Sequence, residues 1–510
     1  MSTTVTYKGS TLTTVDNQTR TLKTAGKYME GDVVLTDVTS SGGVPHVWQD
    51  QDGYVHLDDE GTTQIVVEPL SVTQNGTYTA STGYAYSPVT VNVSGGGGGG
   101  ASKKQINFID YDGTVVESYT KTEWQSVSAL PSNPSHTGLT AQGWNWTKAE
   151  IDAQLTAIPD GDVWVGQMYI TDDGKTRIYI QLEEGRLHPY LGIGVNGTVV
   201  VDWGDNSETS TLTGTSLTTL QTADHTYASD GSYMIALTVS SGSFSFYGTN
   251  GTAYILRKDN TTTSQVHRVY ANAIQKIELG SNAKIGDYAF FNCHSLASIT
   301  IPSSIPNFSI YNFYYCSSLV SITIPNTVTS VGNSEFCYCV SLVSVSIPNS
   351  VRSFGKYALM YCYSLASVTI PNSITSFSER AFYGCCALSS VIMPSGATSV
   401  PSYMFYDCSS LVKVTLPNSV TTINSYVFSN CYTLVSLTIP SSVTTINNST
   451  FEYCYGMAEY HFLSTTPPTL GTSAFVNIQS DCIIYVPAES LEAYKTATNW
   501  SAYADYMQGE

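Results

Sequence analysis

Eight cysteines stand at Cys293, Cys316, Cys339, Cys362, Cys385, Cys408, Cys431 and Cys454, each 23 residues after the one before. A fixed interval of this length marks a repeat architecture, and it constrains the fold more than composition does. Phe290, Phe313, Phe336, Leu359, Phe382, Phe405, Phe428 and Phe451 precede these cysteines by three residues, and a leucine or Met457 follows by three. A proline column from Pro302 to Pro440 keeps the same step. The unit reads F-x-x-C-x-x-L-x-x-(V/I)-x-I-P-x-S-(V/I)-T. Its L-x-x-I-x-I core alternates like a short strand with one buried face, and proline ends that strand.

One such turn buries a handful of apolar side chains, gaining roughly 10 kcal/mol gross, against about 35 kcal/mol of ordering entropy. A single turn therefore cannot fold alone. Stacked turns share their apolar faces and strand hydrogen bonds, which gives a parallel solenoid with nearest-neighbour stability. All eleven cysteines lie at or after Cys293. A column at constant phase within F-x-x-C-x-x-L places them as small buried residues with free thiols rather than as a disulfide framework. Cys337-Tyr-Cys339 and Cys385-Cys386 lack the C-x-x-C spacing of a metal site.

The repeat resembles the BspA-like leucine-rich repeats of bacterial and phage surface proteins, as in Leu434-Val-Ser-Leu-Thr-Ile-Pro440 followed by Ser-Ser-Val-Thr-Thr-Ile446. The resemblance implies a leucine-rich repeat solenoid over residues 265–463. Its first turn, over 265–289, is degenerate: Ile277, Leu279 and Ile285 fit the pattern one residue short. Ile484-Tyr-Val-Pro487, Leu491-Glu-Ala-Tyr-Lys495 and Trp500 resemble the family's end, so 464–510 is read as a cap of one strand and a short helix.

Upstream, the chain reads as small β modules. Residues 1–43, with Val5-Thr-Tyr7 and Asp32-Val-Val-Leu35, form an N-terminal β attachment module. The T-Y-K-G start and T-A-G-K-Y resemble phage tail and baseplate accessory proteins. Residues 44–94 are read as β-hairpin modules, and Asp50-Gln-Asp52-Gly53 as a hairpin tip rather than a calcium loop, since the ligand ladder is missing. The run Gly95–Gly100 makes 95–102 a flexible linker. Residues 103–170 resemble the internalin-type B repeat, a β-grasp unit, on Ile106-Asn-Phe-Ile-Asp-Tyr-Asp-Gly113 and Gly143-Trp144; Ile151 and Leu155 place a helix over 148–158. Residues 176–262 resemble a PKD domain on Val201-Asp-Trp-Gly-Asp205 and His225-Thr-Tyr227, with Asn206 where the family has glycine. There Asp202, Asp205 and His225 are expected to fix turns rather than to catalyse. The fold class expected is thus mainly β: a multidomain chain of small β modules, an immunoglobulin-like β-sandwich and a C-terminal leucine-rich-repeat solenoid of 23-residue turns.

Charged residues are 12% of the chain and the net charge is -19, so its surface is hydroxyl-rich and poorly suited to nucleic acid. No apolar run of 18 residues and no basic-then-hydrophobic start occurs, so neither a membrane span nor a secretory signal is expected. The histidines are scattered, no nucleophile elbow or P-loop occurs, and the expectation is no enzyme, no cofactor and no metal.

What remains is surface. The outward column of the solenoid strands, Thr300, Thr323, Ser346, Thr369, Ile392, Thr415 and Thr438, is monotonous. Variation sits beside the cysteines, at Tyr314, Tyr315, Tyr338, Tyr361, Tyr363, Tyr383, Tyr406, Tyr432, Tyr453 and Tyr455. Tyrosine offers rigid amphipathic contact area at small entropy cost, so this edge is the candidate receptor-binding surface; the alternative is an aromatic stack that only stabilises the turns. The resemblances together imply a phage virion protein, a tail fibre or receptor-binding protein assembled in the host cytoplasm and acting extracellularly. It would hold other tail or baseplate proteins through its N-terminal part and a host-surface glycan or protein through the solenoid, as a trimer if it follows other fibres. A bacterial BspA-like adhesin and a structural virion decoration are the alternatives.

Overall fold

The computed structural model describes residues 105–158, 162–249, 252–253, 255–258 and 268–510, together with the backbone of the strands between residues 2 and 94. The chain divides into two compact units, 1–103 and 104–510. In the first, Ser2–Tyr7 pairs antiparallel with both Ser10–Thr14 and Tyr86–Ser94, and Thr19–Thr24 pairs with Gln64–Leu70. Both of its five-stranded sheets draw strands from either side of residue 43. The Gly95–Gly100 run and the Asp50–Gly53 tip lie outside the described residues.

The second unit begins with a four-stranded sheet in which Ile106–Ile109 lies between Val115–Tyr119 and, in parallel, Val163–Thr171; Leu139–Trp144 completes it. The helix expected here spans Lys148–Ala157. Thr147 and Glu150 close a reciprocal capping box at its start. Ile151 and Leu155, four residues apart on one face, join Phe108, Trp124, Trp144 and Trp146 in a small core.

Three long strands follow, Tyr190–Asp202, Ser210–Asp224 and Gly231–Phe246. Over 176–262, where the sequence suggests a sandwich, these strands lie in one hydrogen-bonded sheet, whose register shifts at Gly194/Val195 and Thr198/Val199; such bulges bend strands. His225 sits 2.7 Å from Asp205 and stacks on Trp203, while the Tyr227 hydroxyl donates to the Trp203 carbonyl at 2.9 Å. These residues tie a turn to a strand end. Asn206 takes φ 63°, so it supplies the left-handed corner that glycine would.

This sheet runs on into the solenoid. Thr176–Leu182 pairs with Ile274–Glu278, and that strand pairs in parallel with Ser298–Thr300, Lys276 opposite Ser298. The offset of 22 is the short first turn read from the sequence, and Ile277, Leu279 and Ile285 are buried in it. Later turns keep the full step: Ser321 lies opposite Ser344, Ser390 opposite Lys413, Ser436 opposite Glu459. One hydrophobic core runs unbroken from Ile178 to Met507.

The constant phase of the cysteines gives each thiol the same hydrogen bond. Each thiol of the 23-residue column from Cys316 to Cys454 donates to the carbonyl of the Phe or Leu 26 residues earlier, at 3.0 to 3.3 Å. Each of these carbonyls also accepts the backbone N–H three residues on, as Phe290 does from Cys293 at 3.1 Å, so the thiol adds a second bond that alanine would not supply. All eleven cysteines are free and buried, and burial pushes the column's thiols above their ordinary range. At the far end Ile483–Val486 adds to Glu459–Phe462, and Leu491–Thr496 folds back as a helix. Tyr494 and Trp500 are wholly buried and donate to the Ser464 and Pro468 carbonyls. Both side chains belong to the core that runs through the solenoid.

Candidate functional site

Two surfaces of the solenoid compete for a functional reading, and the strand face comes first. Thr300, Thr323, Ser346 and Thr369 are at most 7% exposed, although they point outward from the solenoid core. The sheet-and-helix module of residues 105–171 covers them. Trp164 donates its backbone N–H to Thr369 Oγ1 at 2.8 Å and its indole N–H to Ser367 Oγ at 3.0 Å. Ser346 Oγ donates to the Trp164 carbonyl at 2.7 Å. Asn145 Nδ2, Trp146 Nε1 and Gln154 Nε2 donate to the carbonyls of Ile324, Ile347 and Ile370, one solenoid turn after another, at 2.9 to 3.0 Å. Gly166 sits so close that an added Cβ would stand 2.1 Å from Thr323 Oγ1. The monotonous open face expected from the sequence thus exists only beyond Thr369, where Thr415 and Thr438 are exposed.

The second surface is the tyrosine edge. Each turn carries two corners in the left-handed region. One is the residue before the cysteine: Asn292, Tyr315, Tyr338, Tyr361, Gly384, Asp407, Asn430 and Tyr453, with φ between 59° and 67°. Their N–H groups face the next turn: Tyr338 donates to Met360, Tyr361 to Tyr383 and Gly384 to Tyr406, each at 2.8 Å. The other corner, five residues before the cysteine, holds Tyr288, Tyr311, Ser334, Tyr357, Arg380, Tyr403, Tyr426 and Ser449.

The structure gathers the ten candidate tyrosines into two groups. Tyr314, Tyr315, Tyr338, Tyr361, Tyr363, Tyr383 and Tyr406 form one continuous array: Tyr315 stacks on Tyr338 at 4.2 Å, Tyr338 meets Tyr361 at 4.7 Å, and Tyr383 stacks on Tyr406 at 4.7 Å. Tyr314 joins it through Tyr315, and Tyr363 through Tyr361. Tyr432, Tyr453 and Tyr455 form the second group, Tyr455 about half exposed. Burial pushes the phenols of Tyr314 and Tyr363 up to about 12, so these two stay uncharged and offer hydroxyl donors and ring faces.

Several members were missed in the sequence. Tyr288, Tyr311, Tyr357, Tyr403 and Tyr426 make a second ladder; Tyr403 stacks on Tyr426 at 4.8 Å, and the Arg380 guanidinium lies 4.4 Å over the Tyr403 ring and 5.6 Å over Tyr357. They keep the same period of 23, five residues before each cysteine, which was the available signal. Asp407 interrupts the first array, and burial pushes its carboxyl up to about 6. Among the described residues no cluster of three or more His, Cys, Asp or Glu side chains could hold a metal ion, and no helix is long and apolar enough to cross a membrane.

The family described as the BspA type leucine rich repeat region matches residues 238–342, 267–389, 329–458 and 375–495, which together span just over half of the chain. The solved leucine rich repeat protein of T. pallidum is 26% identical, over 36% of this chain and 83% of its own, with a TM-score of 0.30. A leucine rich cell surface protein of Faecalibacterium prausnitzii A2-165 is 25% identical, over 42% of this chain and 70% of its own, with a TM-score of 0.26. A leucine-rich repeat protein of Bacteroides ovatus is 21% identical over 54% of this chain and 97% of its own, with a TM-score of 0.23. No curated protein matches the chain.

Proposed function

Because the chain belongs to the BspA-type leucine rich repeat family, we propose that it is a non-enzymatic recognition protein whose tyrosine edge contacts a glycan or protein on a cell surface. The observation that carries this reading is the backbone of that edge. Tyr315, Tyr338, Tyr361 and Tyr453 hold φ near 60° in a column where other turns use Asn, Asp or Gly. A bulky residue there costs about 1 kcal/mol, and a stacked neighbour returns about the same. Burial of the ring adds to that return, so stacking by itself can hold tyrosine at these corners. What favours a ligand contact is that the strained backbone stands at a half-exposed edge whose residues change from turn to turn, which is a pointer to function.

The finer reading is a virion receptor-binding protein or tail fibre. It rests on the T-Y-K-G and T-A-G-K-Y segments, whose likeness is to phage tail accessory proteins. The family match supports a bacterial surface adhesin as the second reading. Immunogold labelling of phage particles and of intact cells separates the two.

The recognition reading itself is tested on the full chain by combining Tyr361→Asn, Tyr383→Ser and Tyr406→Ser. Asparagine suits the left-handed corner, so the thermal transition should move by no more than a few degrees. Adsorption to host cells should fall by at least about tenfold, as loss of several aromatic anchors implies. A triple variant that adsorbs normally makes the edge scaffold, and one that unfolds makes the stack structural.

A further inference from the structure

The aromatic covering of the edge lapses at one place. Before the cysteines the residues run Tyr338, Tyr361, Gly384, Asp407, Asn430; after them, Tyr363, Cys386, Ser409, Tyr432. For two turns the floor is therefore Gly384, Cys386, Asp407 and Ser409, of which Asp407 alone is more than slightly exposed. Rings stand round it. The Tyr361 ring lies against the Gly384 backbone, where a Cβ would come within 2.5 Å of it. Tyr363 is 5.6 Å from Tyr361, and Tyr383 and Tyr406 stack beside the floor with ring planes 12° apart. Cys386 Sγ approaches the Asp407 carbonyl at 3.6 Å, and the Asp407 N–H donates to Ser429 at 2.9 Å, so the floor is tied together through the backbone.

The Asp407 side chain is the anomaly. Among the described residues it accepts no hydrogen bond and faces no cation; only burial acts on it, and burial disfavours its charge. Asn292 and Asn430 hold the same corner at the same φ without any charge. A half-buried carboxylate kept where asparagine would serve is a stability cost that a ligand can offset. Neutral phenol faces beside a carboxylate favour an organic ammonium, through ring quadrupoles and the charge together.

We propose that this recess binds a hexosamine with a free ammonium group, Asp407 meeting the charge while Tyr363, Tyr383 and Tyr406 meet the apolar face and hydroxyls of the ring. This deepens the recognition reading and rests on it for its biological setting.

The test titrates the full chain at pH 7 with glucosamine, N-acetylglucosamine and lysinamide by calorimetry. Glucosamine should bind, and N-acetylglucosamine, which has lost the charge, should bind at least about tenfold more weakly. Asp407→Asn should weaken glucosamine by a similar factor and at the same time raise the melting temperature, an outcome that a merely structural aspartate would not give. Binding should also fall between pH 7 and pH 5, as Asp407 protonates around 6. The phenol of Tyr363 and the thiol of Cys386, both pushed to about 12, stay neutral throughout, as do Tyr383 and Tyr406, whose phenols are also raised; Glu452, near Tyr406, is the remaining acid. Equal affinity for both sugars, or an Asp407→Asn chain that binds as before, overturns the proposal. Lysinamide binding without glucosamine binding overturns the sugar assignment in favour of a peptide amine. If the triple tyrosine variant loses cells while Asp407→Asn keeps both cells and sugars, recognition stands and this site falls. If Asp407→Asn loses glucosamine while the triple variant still adsorbs, the site stands and the cell-surface reading falls.

Discussion

The strand face of the solenoid has two halves with nearly one sequence and opposite fates. Thr300, Thr323, Ser346 and Thr369 are buried, whereas Thr415 and Thr438, in the same column and on the same pleat, are exposed. Nothing local separates them. The difference comes from a module about 200 residues earlier in the chain, which lays Asn145, Trp146, Gln154 and Trp164 on the first half. A uniform hydroxyl column is thus a surface of short polar groups and carbonyls that a neutral, amide-bearing partner can meet turn by turn. The covered half is an interface made by that rule, and the open half is the control beside it.

The comparison breaks most completely at Gly166. No side chain fits between this residue and Thr323, so Gly166→Leu should lift the module from the covered half, with a loss of about 4 kcal/mol or more for the unit. Trp146 and Trp164 then enter water, and their fluorescence should shift to the red while the solenoid keeps its far-ultraviolet signal. A variant with native tryptophan emission would mean that the module is not seated there.

Asn145→Ala is the next step down. The side chain spans the interface: Nδ2 donates to Ile324 and Ser346 carbonyls, and Oδ1 accepts from the Gly166 N–H at 2.8 Å. Truncation leaves buried partners unmatched, at a cost of roughly 2–3 kcal/mol. Faster hydrogen exchange at Gly166, with exchange in the open half unchanged, is the expected signature; equal acceleration in both halves would remove the contrast.

Much of the fold was legible because it is written with a local period. The 23-residue step, the short first turn at Ile277 and the helix through Ile151 and Leu155 follow from spacing and patterning within a few dozen residues, whereas the cap at Trp500 was read from its likeness to the family's end. The docking was not legible, since shape complementarity between distant surfaces leaves no periodic trace. The edge was read in part. Tyrosine has no leaning toward left-handed backbone, so its corners looked like ordinary loop positions. Asn292, Gly384 and Asn430 in that column did carry the signal. The five tyrosines of the second ladder shared the period but not the neighbourhood of the cysteines, and were passed over.

The finest test uses one substitution at two places in the same column. Thr369 Oγ1 donates to the Asp162 carbonyl at 2.6 Å and accepts the Trp164 N–H at 2.8 Å. Thr415 stands in the open half, two turns on. Valine has nearly the same shape and suits a strand at least as well, so Thr→Val removes the hydroxyl and little else. At residue 369 it should cost about 1–2 kcal/mol, because the Trp164 N–H and the Asp162 carbonyl lose their partner at an interface closed to water. At residue 415 water replaces the lost bond, and the change should stay within about 0.5 kcal/mol of zero. Denaturant midpoints of the two single variants and the double give the contrast directly, and additivity is expected because the sites share no contact. If Thr415→Val costs as much as Thr369→Val, the hydroxyl column acts within the strands themselves, and the covered and open halves differ in exposure alone.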